Sequence, residues 1–267
     1  MTVKHFGLVA LEERGPAAII RLNDPDTLNA VSATMMKGLN EALAFADAPE
    51  SGFGCVVLTG TGRAFSSGAN LVTTGPDDVL KQPDLGDVLR QSYYPALRRM
   101  RAMRVPIIAA VNGPAIGFGV SLALMADLIL AAESAFFQLT FSRIGLIPDG
   151  GAAWLLPRIL GAARARELIL LAERLPAAKA LEWGLVNRVH ADAALIEAAL
   201  TCANELAERP AKSLPLIRRA SWEGLDNGFE AQLEQEAELQ AEAGRTKDYA
   251  EGVRAFREKR KPVFRGE

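Results

Sequence analysis

In FSRIGLIPDGG, Phe141 to Gly151, a single carboxylate, Asp149, stands among apolar and small residues, just before the helical run AAWLLPRILG. An acid on such a turn has two readings from the residues alone. It can cap the helix that follows, as Asp before a helix often does. It can also serve as a general acid or base, because apolar neighbours such as Phe141, Ile147 and Trp154 would raise its pKa and strengthen it as a proton acceptor. Two small-residue stretches could complete a site with it: AFSSGANL (Ala64 to Leu71) follows the strand-like CVVLTG, and NGPAIGFG (Asn112 to Gly119) follows PIIAAV. Small residues let the backbone approach a ligand, and amides at a helix start point outward with partial positive charge. Two such turns on adjacent strands could aim two N–H groups at one oxygen, although ordinary turn chemistry would account for either one alone.

Other chemistries find little support. The glycines of NGPAIGFG (Gly113, Gly117, Gly119) do not have the dinucleotide spacing, and Ser66 and Ser67 lack the frame of a nucleophile elbow. His5 and His190 lie far along the chain from both loops, which speaks against Ser-His or Cys-His catalysis. Cys55 and Cys202 sit apart in apolar segments, so neither a disulfide framework nor a metal site is expected. Thirty basic residues against 32 acidic ones leave a formal charge of -2, and so no electrostatic case for nucleic acid. MTVKHFGLVALEERG carries charges within and after its short apolar run, unlike a secretory signal. The longest apolar stretch is broken by Pro114, several glycines and Asp127, so no membrane span and a cytoplasmic location are expected.

The elements that must position these residues can be read from periodicity. HFGLVALEERGPAAIIRLND predicts a hairpin about Gly15-Pro16, and SATMMKGLNEALAFADA a helix capped by Ser32. CVVLTG, PIIAAV and LILAAE predict buried strands, with AFFQLTF a candidate fourth. LGDVLRQSYYPALRRMRAM predicts a second helix. Beyond Gly150 the chain reads as helices, ending in ALIEAALTCANELAER, AKSLPLIRRASWEG, FEAQLEQEAELQAEAG and TKDYAEGVRAFREKRK. An α/β fold with a parallel-type sheet and a helical extension follows.

In this order and spacing, LNDPDTLNAVS, AFSSGANL, NGPAIGFGVSLALMADLILAA, AWLLPRILGAARARELILLAERLPAAKALEWGLVNRV and AFREKRKPVFRG resemble the crotonase superfamily, the enoyl-CoA hydratases and isomerases. The likeness runs from about Leu8 to Phe264. It implies a ββα superhelix over residues 1–195 and a helical trimerisation region over 196–267, assembled as a homotrimer or a dimer of trimers. It implies an acyl-CoA thioester substrate, with CoA as part of that substrate and no separate cofactor. Carried over by position, the amides of Ala69 and Phe118 would hold the thioester oxygen. Asn29, Ala30, Ser66, Ser67, Gly68, Asn70, Leu71 and Gly117 would line the substrate. Lys259 and Arg260, with Lys261 and Arg63, are the candidates for CoA phosphates, because Asp24 and Thr27 occupy the early positions where the family often has basic residues. Favourable charge at a helix C-terminus would equally explain the Lys-Arg-Lys run. Asn70 stands where the family usually has aspartate.

The departures point to the reaction. Family hydratases use two glutamates, and those positions here read Ser121 and Phe141. Asp149 sits where isomerases of the superfamily, including Δ3,Δ2-enoyl-CoA isomerases and the phenylacetate-pathway isomerase, place their acid. The resemblance therefore implies an enoyl-CoA delta-isomerase. Hydration with some other means of activating water, or a non-catalytic acyl-CoA binder, are the alternatives.

Overall fold

The computed structural model describes residues 2–71 and 84–267. Strands β1 (Val3–Phe6), β2 (Val9–Arg14) and β3 (Ala17–Leu22) form an antiparallel meander. The hairpin expected about Gly15-Pro16 is β2–β3, and β1 adds a third strand that four alternating residues did not announce. From β3 the sheet turns parallel, through β4 (Cys55–Gly60), β5 (Ile107–Val111), β7 (Leu128–Ala132) and β10 (Arg188–His190). All residues of β4 and β5 are buried, as continuous apolar runs require when both faces of a sheet are covered.

Helix α1 (Ala33–Asp47) packs on β1 to β3 and begins where Ser32 accepts a hydrogen bond from the Met35 amide at 3.2 Å, so the expected cap is real. Helix α8 (Leu195–Ala207) packs on β3, β4, β5 and β7. The expected division at residues 195/196 therefore falls at the first turn of a helix that covers the sheet. The helices that stand off it are α9 (Ser213–Glu223), α10 (Phe229–Ala243) and α11 (Lys247–Glu258).

A second sheet of three short strands builds the site: β6 (Ala115–Ile116), β8 (Phe136–Gln138) and β9 (Leu175–Pro176). AFFQLTF thus supplies a strand, but one outside the main sheet. Helix α4 (Phe118–Leu124) leaves β6 after Gly117, and α5 (Ala152–Leu160), α6 (Ala162–Leu171) and α7 (Ala177–Trp183) follow the Asp149 turn. The stretch 85–102 is not one regular helix. Helix α2 (Leu85–Val88) passes through a wide π turn, Leu89–Tyr93, into α3 (Tyr94–Ala102). Pro95 has no N–H to offer the carbonyl four residues back, which favours a break in the regular ladder there.

Candidate active site

The two small-residue loops interlock. The Ser66 amide donates to the Pro114 carbonyl at 3.1 Å and the Ile116 amide to the Ser66 carbonyl at 2.9 Å, making a parallel bridge between Ser66 and Ala115. Gly68 has φ +91°, and a Cβ added there would lie 2.7 Å from the Ile116 carbonyl oxygen and 3.6 Å from Gly117 Cα. Only glycine permits both this conformation and this approach. Ala69 and Phe118 each follow one of the paired glycines. Among the described residues, neither amide donates within the surrounding backbone network. The two candidate donors thus follow two glycines in close approach, and neither has a backbone acceptor among the described residues.

The segment before α1 braces the first loop. Val31 donates to the Gly68 carbonyl at 2.7 Å and accepts from the Asn70 amide at 2.8 Å, bracketing Ala69. Asn29 is fully buried with φ +58°, and its carboxamide donates to the carbonyls of Thr61 and Ala64, both at 2.9 Å, while accepting from the Asp24 amide at 3.0 Å. Ser66 donates to the Asn29 carbonyl at 2.8 Å, and Ser67 to the Thr27 carbonyl at 2.9 Å. The side chains of Asn29, Ser66 and Ser67, expected to line substrate, thus bind the protein's own backbone. They shape the loop. Ala30 is buried, whereas Ala69 and Leu71 are exposed.

Asp149 does not cap α5. The N-cap is Gly151, in the left-handed region, and no side chain caps that end. The Asp149 backbone carbonyl accepts from the Ala152 amide at 3.1 Å and from the Ser121 hydroxyl at 2.9 Å. Its Oδ1 is buried and has no hydrogen-bond partner among the described residues. A carboxylate so placed disfavours its charged form, and burial pushes Asp149 up to about 6, against a smaller opposing effect of its own backbone N–H. Ser121, fully buried on α4, is the side chain that fixes the turn.

The expected apolar surroundings need one correction. Phe141 is buried, but Ile147 is 81% exposed and shields little. The aromatic groups at the turn are instead Phe118 and Tyr93. A Cβ on Gly150 (φ +59°) would meet Ser121 Cβ at 2.7 Å and Phe118 Cε2 at 2.9 Å. Tyr93 stands edge-on to Phe118, with ring centroids 5.0 Å apart and planes at 86°. Its hydroxyl donates to the Val31 carbonyl at 3.0 Å. Burial, and then the charge of Asp149, hold the Tyr93 phenol above its ordinary pKa. Nothing in the sequence singled out Tyr93 or Val31; their roles arise from contacts 62 residues apart.

The cationic candidates separate. Arg260 is engaged by Glu251 at 2.6 Å and by Glu258 at 2.6 Å, and Lys261 by Glu208 at 2.8 Å. Arg260 and Lys261 are thus already paired with carboxylates. Lys259 closes α11 with φ +54°, is exposed and enters no ion pair among the described residues, and Arg63 is likewise exposed beside the first loop. Among the described residues no cluster of three or more potential metal ligands occurs, and no helix is long and apolar enough to cross a membrane. A cleft of about 1070 Å³ between α9, α10, α11 and the tail, lined by Leu216, Ile217, Leu239, Phe256 and Phe264, shares no residue with the Asp149 turn.

A mixed sheet wrapped by helices, with two interlocked glycine loops and a half-buried acid whose turn packs against Phe118 and Ser121, defines a crotonase-fold protein, and the comparisons agree. A family model described as enoyl-CoA hydratase/isomerase matches residues 12–267, so the chain belongs to that family of acyl-CoA-processing enzymes. It is 42% identical to a 1,2-epoxyphenylacetyl-CoA isomerase of Escherichia coli over 92% of this chain and 94% of that one. It is 41% identical to a probable enoyl-CoA hydratase of Rhodobacter capsulatus over 93% and 94%. A solved enoyl-CoA hydratase of Bacillus anthracis superposes with a TM-score of 0.88 at 30% identity, covering 97% of this chain and all of that one.

Proposed function

We propose that the protein is an acyl-CoA isomerase that moves a double bond by a 1,3-proton shift, converting a 3-enoyl-CoA to a 2-enoyl-CoA. The observation that carries this reading is Asp149, with its unpartnered Oδ1 and a carboxyl pushed up to about 6. Its carboxylate takes a proton from C2, and the electron pair moves into the thioester to form a dienolate. The Ala69 and Phe118 amides donate to the resulting oxyanion. Such donors are worth roughly 3–4 kcal/mol each in other enzymes. The protonated Asp149 then returns the proton to C4, regenerating the carboxylate. No cofactor beyond the CoA of the substrate is needed. Ser121 and Phe141 offer no second acid, and hydration requires both an activated water and a proton donor to carbon.

The name of the E. coli relative favours a second reading, an epoxide of a ring-bearing acyl-CoA as substrate, handled by the same acid and the same two donors. Exposed apolar side chains on the C-terminal helices, Ile217, Phe229, Tyr249 and Phe256 among them, support assembly into a trimer or a dimer of trimers.

The test compares 3-enoyl-CoA and 2-enoyl-CoA as substrates for the parent and for Asp149→Asn. Isomerisation of the 3-enoyl compound by the parent alone supports the reading. Hydration of the 2-enoyl compound that survives in the variant would replace it with water activation elsewhere, and binding without turnover of either would leave an acyl-CoA binder.

A further inference from the structure

We propose that Tyr93 is the positioning residue of the oxyanion site, its hydroxyl setting the Ala69 arm through Val31 while its ring braces the Phe118 arm. This inference rests on the reading of those two amides as the donors. It starts from the π turn Leu89–Tyr93, in which the Tyr94 amide reaches back to the Leu89 carbonyl. Wide turns of this kind are rare in helices and concentrate at functional sites. This one delivers Tyr93, 9% exposed, toward the loops.

There the hydroxyl does not satisfy its own helix. It donates across the chain to the Val31 carbonyl at 3.0 Å. That carbonyl already accepts from the Asn70 amide at 2.8 Å, while the Val31 amide donates to the Gly68 carbonyl at 2.7 Å. The peptides on both sides of Ala69 are therefore oriented by Val31, and Val31 is held from the helix side by Tyr93. A displacement of Val31 turns the Ala69 N–H directly.

The Tyr93 ring meets the other arm. Its edge-to-face contact at 5.0 Å is with Phe118, the residue whose amide opens α4, and the Phe118 ring lies against Gly150, next to the acid. One side chain thus touches the support of both donors, adding a side-chain link to the backbone bridge that joins their loops. Burial and the nearby Asp149 charge favour the neutral phenol, so the hydroxyl stays a donor throughout turnover.

The test reads carbonyl polarisation. A saturated acyl-CoA labelled with ¹³C at the thioester carbonyl is bound to the parent, Tyr93→Phe, Tyr93→Leu and Asp149→Asn, and the infrared band is compared with that of the free thioester. The kcat and KM for a 3-enoyl-CoA are measured in parallel. The parent and Asp149→Asn should show the same shift to lower frequency. Tyr93→Phe, which keeps the ring and loses only the hydroxyl, should show a smaller and broader shift and a kcat roughly tenfold lower, a fraction of the effect of deleting a donor outright, with KM within about twofold. Tyr93→Leu should lose more of both. A Tyr93→Phe band and kcat equal to the parent's would overturn the proposal. Polarisation absent from the parent would remove the oxyanion reading itself, and the proposal with it. Should Tyr93→Phe fail to fold, 3-fluorotyrosine at position 93 alters donor strength while nearly preserving shape. An unmoved carbonyl band would then count against the proposal, and a displaced one for it.

Discussion

Strand β4 and helix α11 handle apolar side chains in opposite ways. Every residue of β4 is buried within the same chain, with α8 packed on it. Helix α11 buries only Asp248 and Ala255 and leaves Phe256 84% exposed and Tyr249 56% exposed. The sheet half, with its paired loops and acid turn, is therefore completed by contacts it makes itself. The terminal helices are fastened largely by polar side chains. Arg218 of α9 donates to Asp127 at 2.7 Å and to the carbonyls of Met100 and Met103, and Trp222 donates to the same Asp127 at 3.2 Å. Asp248 of α11 accepts from the amides of Arg265 and Gly266 at 2.7 and 2.8 Å, which folds the tail back. The difference sets a half that buries its own apolar side chains apart from terminal helices that leave theirs open.

Asp149→Asn should expose this separation most sharply. Turnover of a 3-enoyl-CoA should fall by about 10²–10⁴, the usual range for losing a positioned general base, while sedimentation shows the parent's assembly. A dissociated variant would mean that the two halves are not separate. In the parent, kcat/KM should rise with pH through about 6 as Asp149 ionises. Stability follows the opposite course. The folded pKa lies above the ordinary 3.8, so the contribution of this group is fully present below about 4 and is lost as pH rises through about 6. Thermal melts should therefore favour Asp149→Asn over the parent at pH 8, and the gap should shrink at pH 4.

Removing the fastening should come next in size. Arg218 is 5% exposed, and its loss leaves Asp127 without its cation. Arg218→Ala should cost about 3–5 kcal/mol by denaturant titration, as for other broken buried pairs. A cost below about 1 kcal/mol would show that apolar packing, and not this network, docks α9.

Gly150→Ala probes the sheet half. The positive φ and the close Ser121 and Phe118 atoms should cost about 1–3 kcal/mol and displace the acid, lowering kcat as well. An unchanged kcat would argue against a fixed Asp149. The smallest effect on the folded chain is expected for Phe256→Glu. Phe256 is 84% exposed in the single chain, so the change should shift the single-chain unfolding free energy by no more than about 0.5 kcal/mol, yet move the sedimentation profile toward smaller species. A profile identical to the parent's would place the assembly surface elsewhere.

Much of this was legible in the residues. Continuous apolar runs announced β4, β5 and β7, since strands covered on both faces have no polar side to alternate with. Ser32 announced the start of α1, because a hydroxyl before a helix has few other uses. The two loops could be paired from their small residues and the adjacent strands before them, and the likeness to a family named Ala69 and Phe118 within them. What stayed hidden depends on distant parts of the chain. That the Asn29 carboxamide is occupied by the Thr61 and Ala64 carbonyls could not be read from LNDPDTLNAVS. Arg260 reads as a free cation until Glu251 is found beside it. Strand β6 has two residues and no periodicity, and Tyr93 acquires its partners only once Val31 and Phe118 are brought to it.

The bridge between Ser66 and Ala115 has a consequence for redesign. It fixes the spacing of the two donor loops without any help from the turn that carries Asp149. A new reaction on this scaffold need not rebuild the oxygen-binding end. On the proposed reading, moving one carboxyl from position 149 to 121 or 141 would re-aim the proton transfer while the bridged loops kept their spacing.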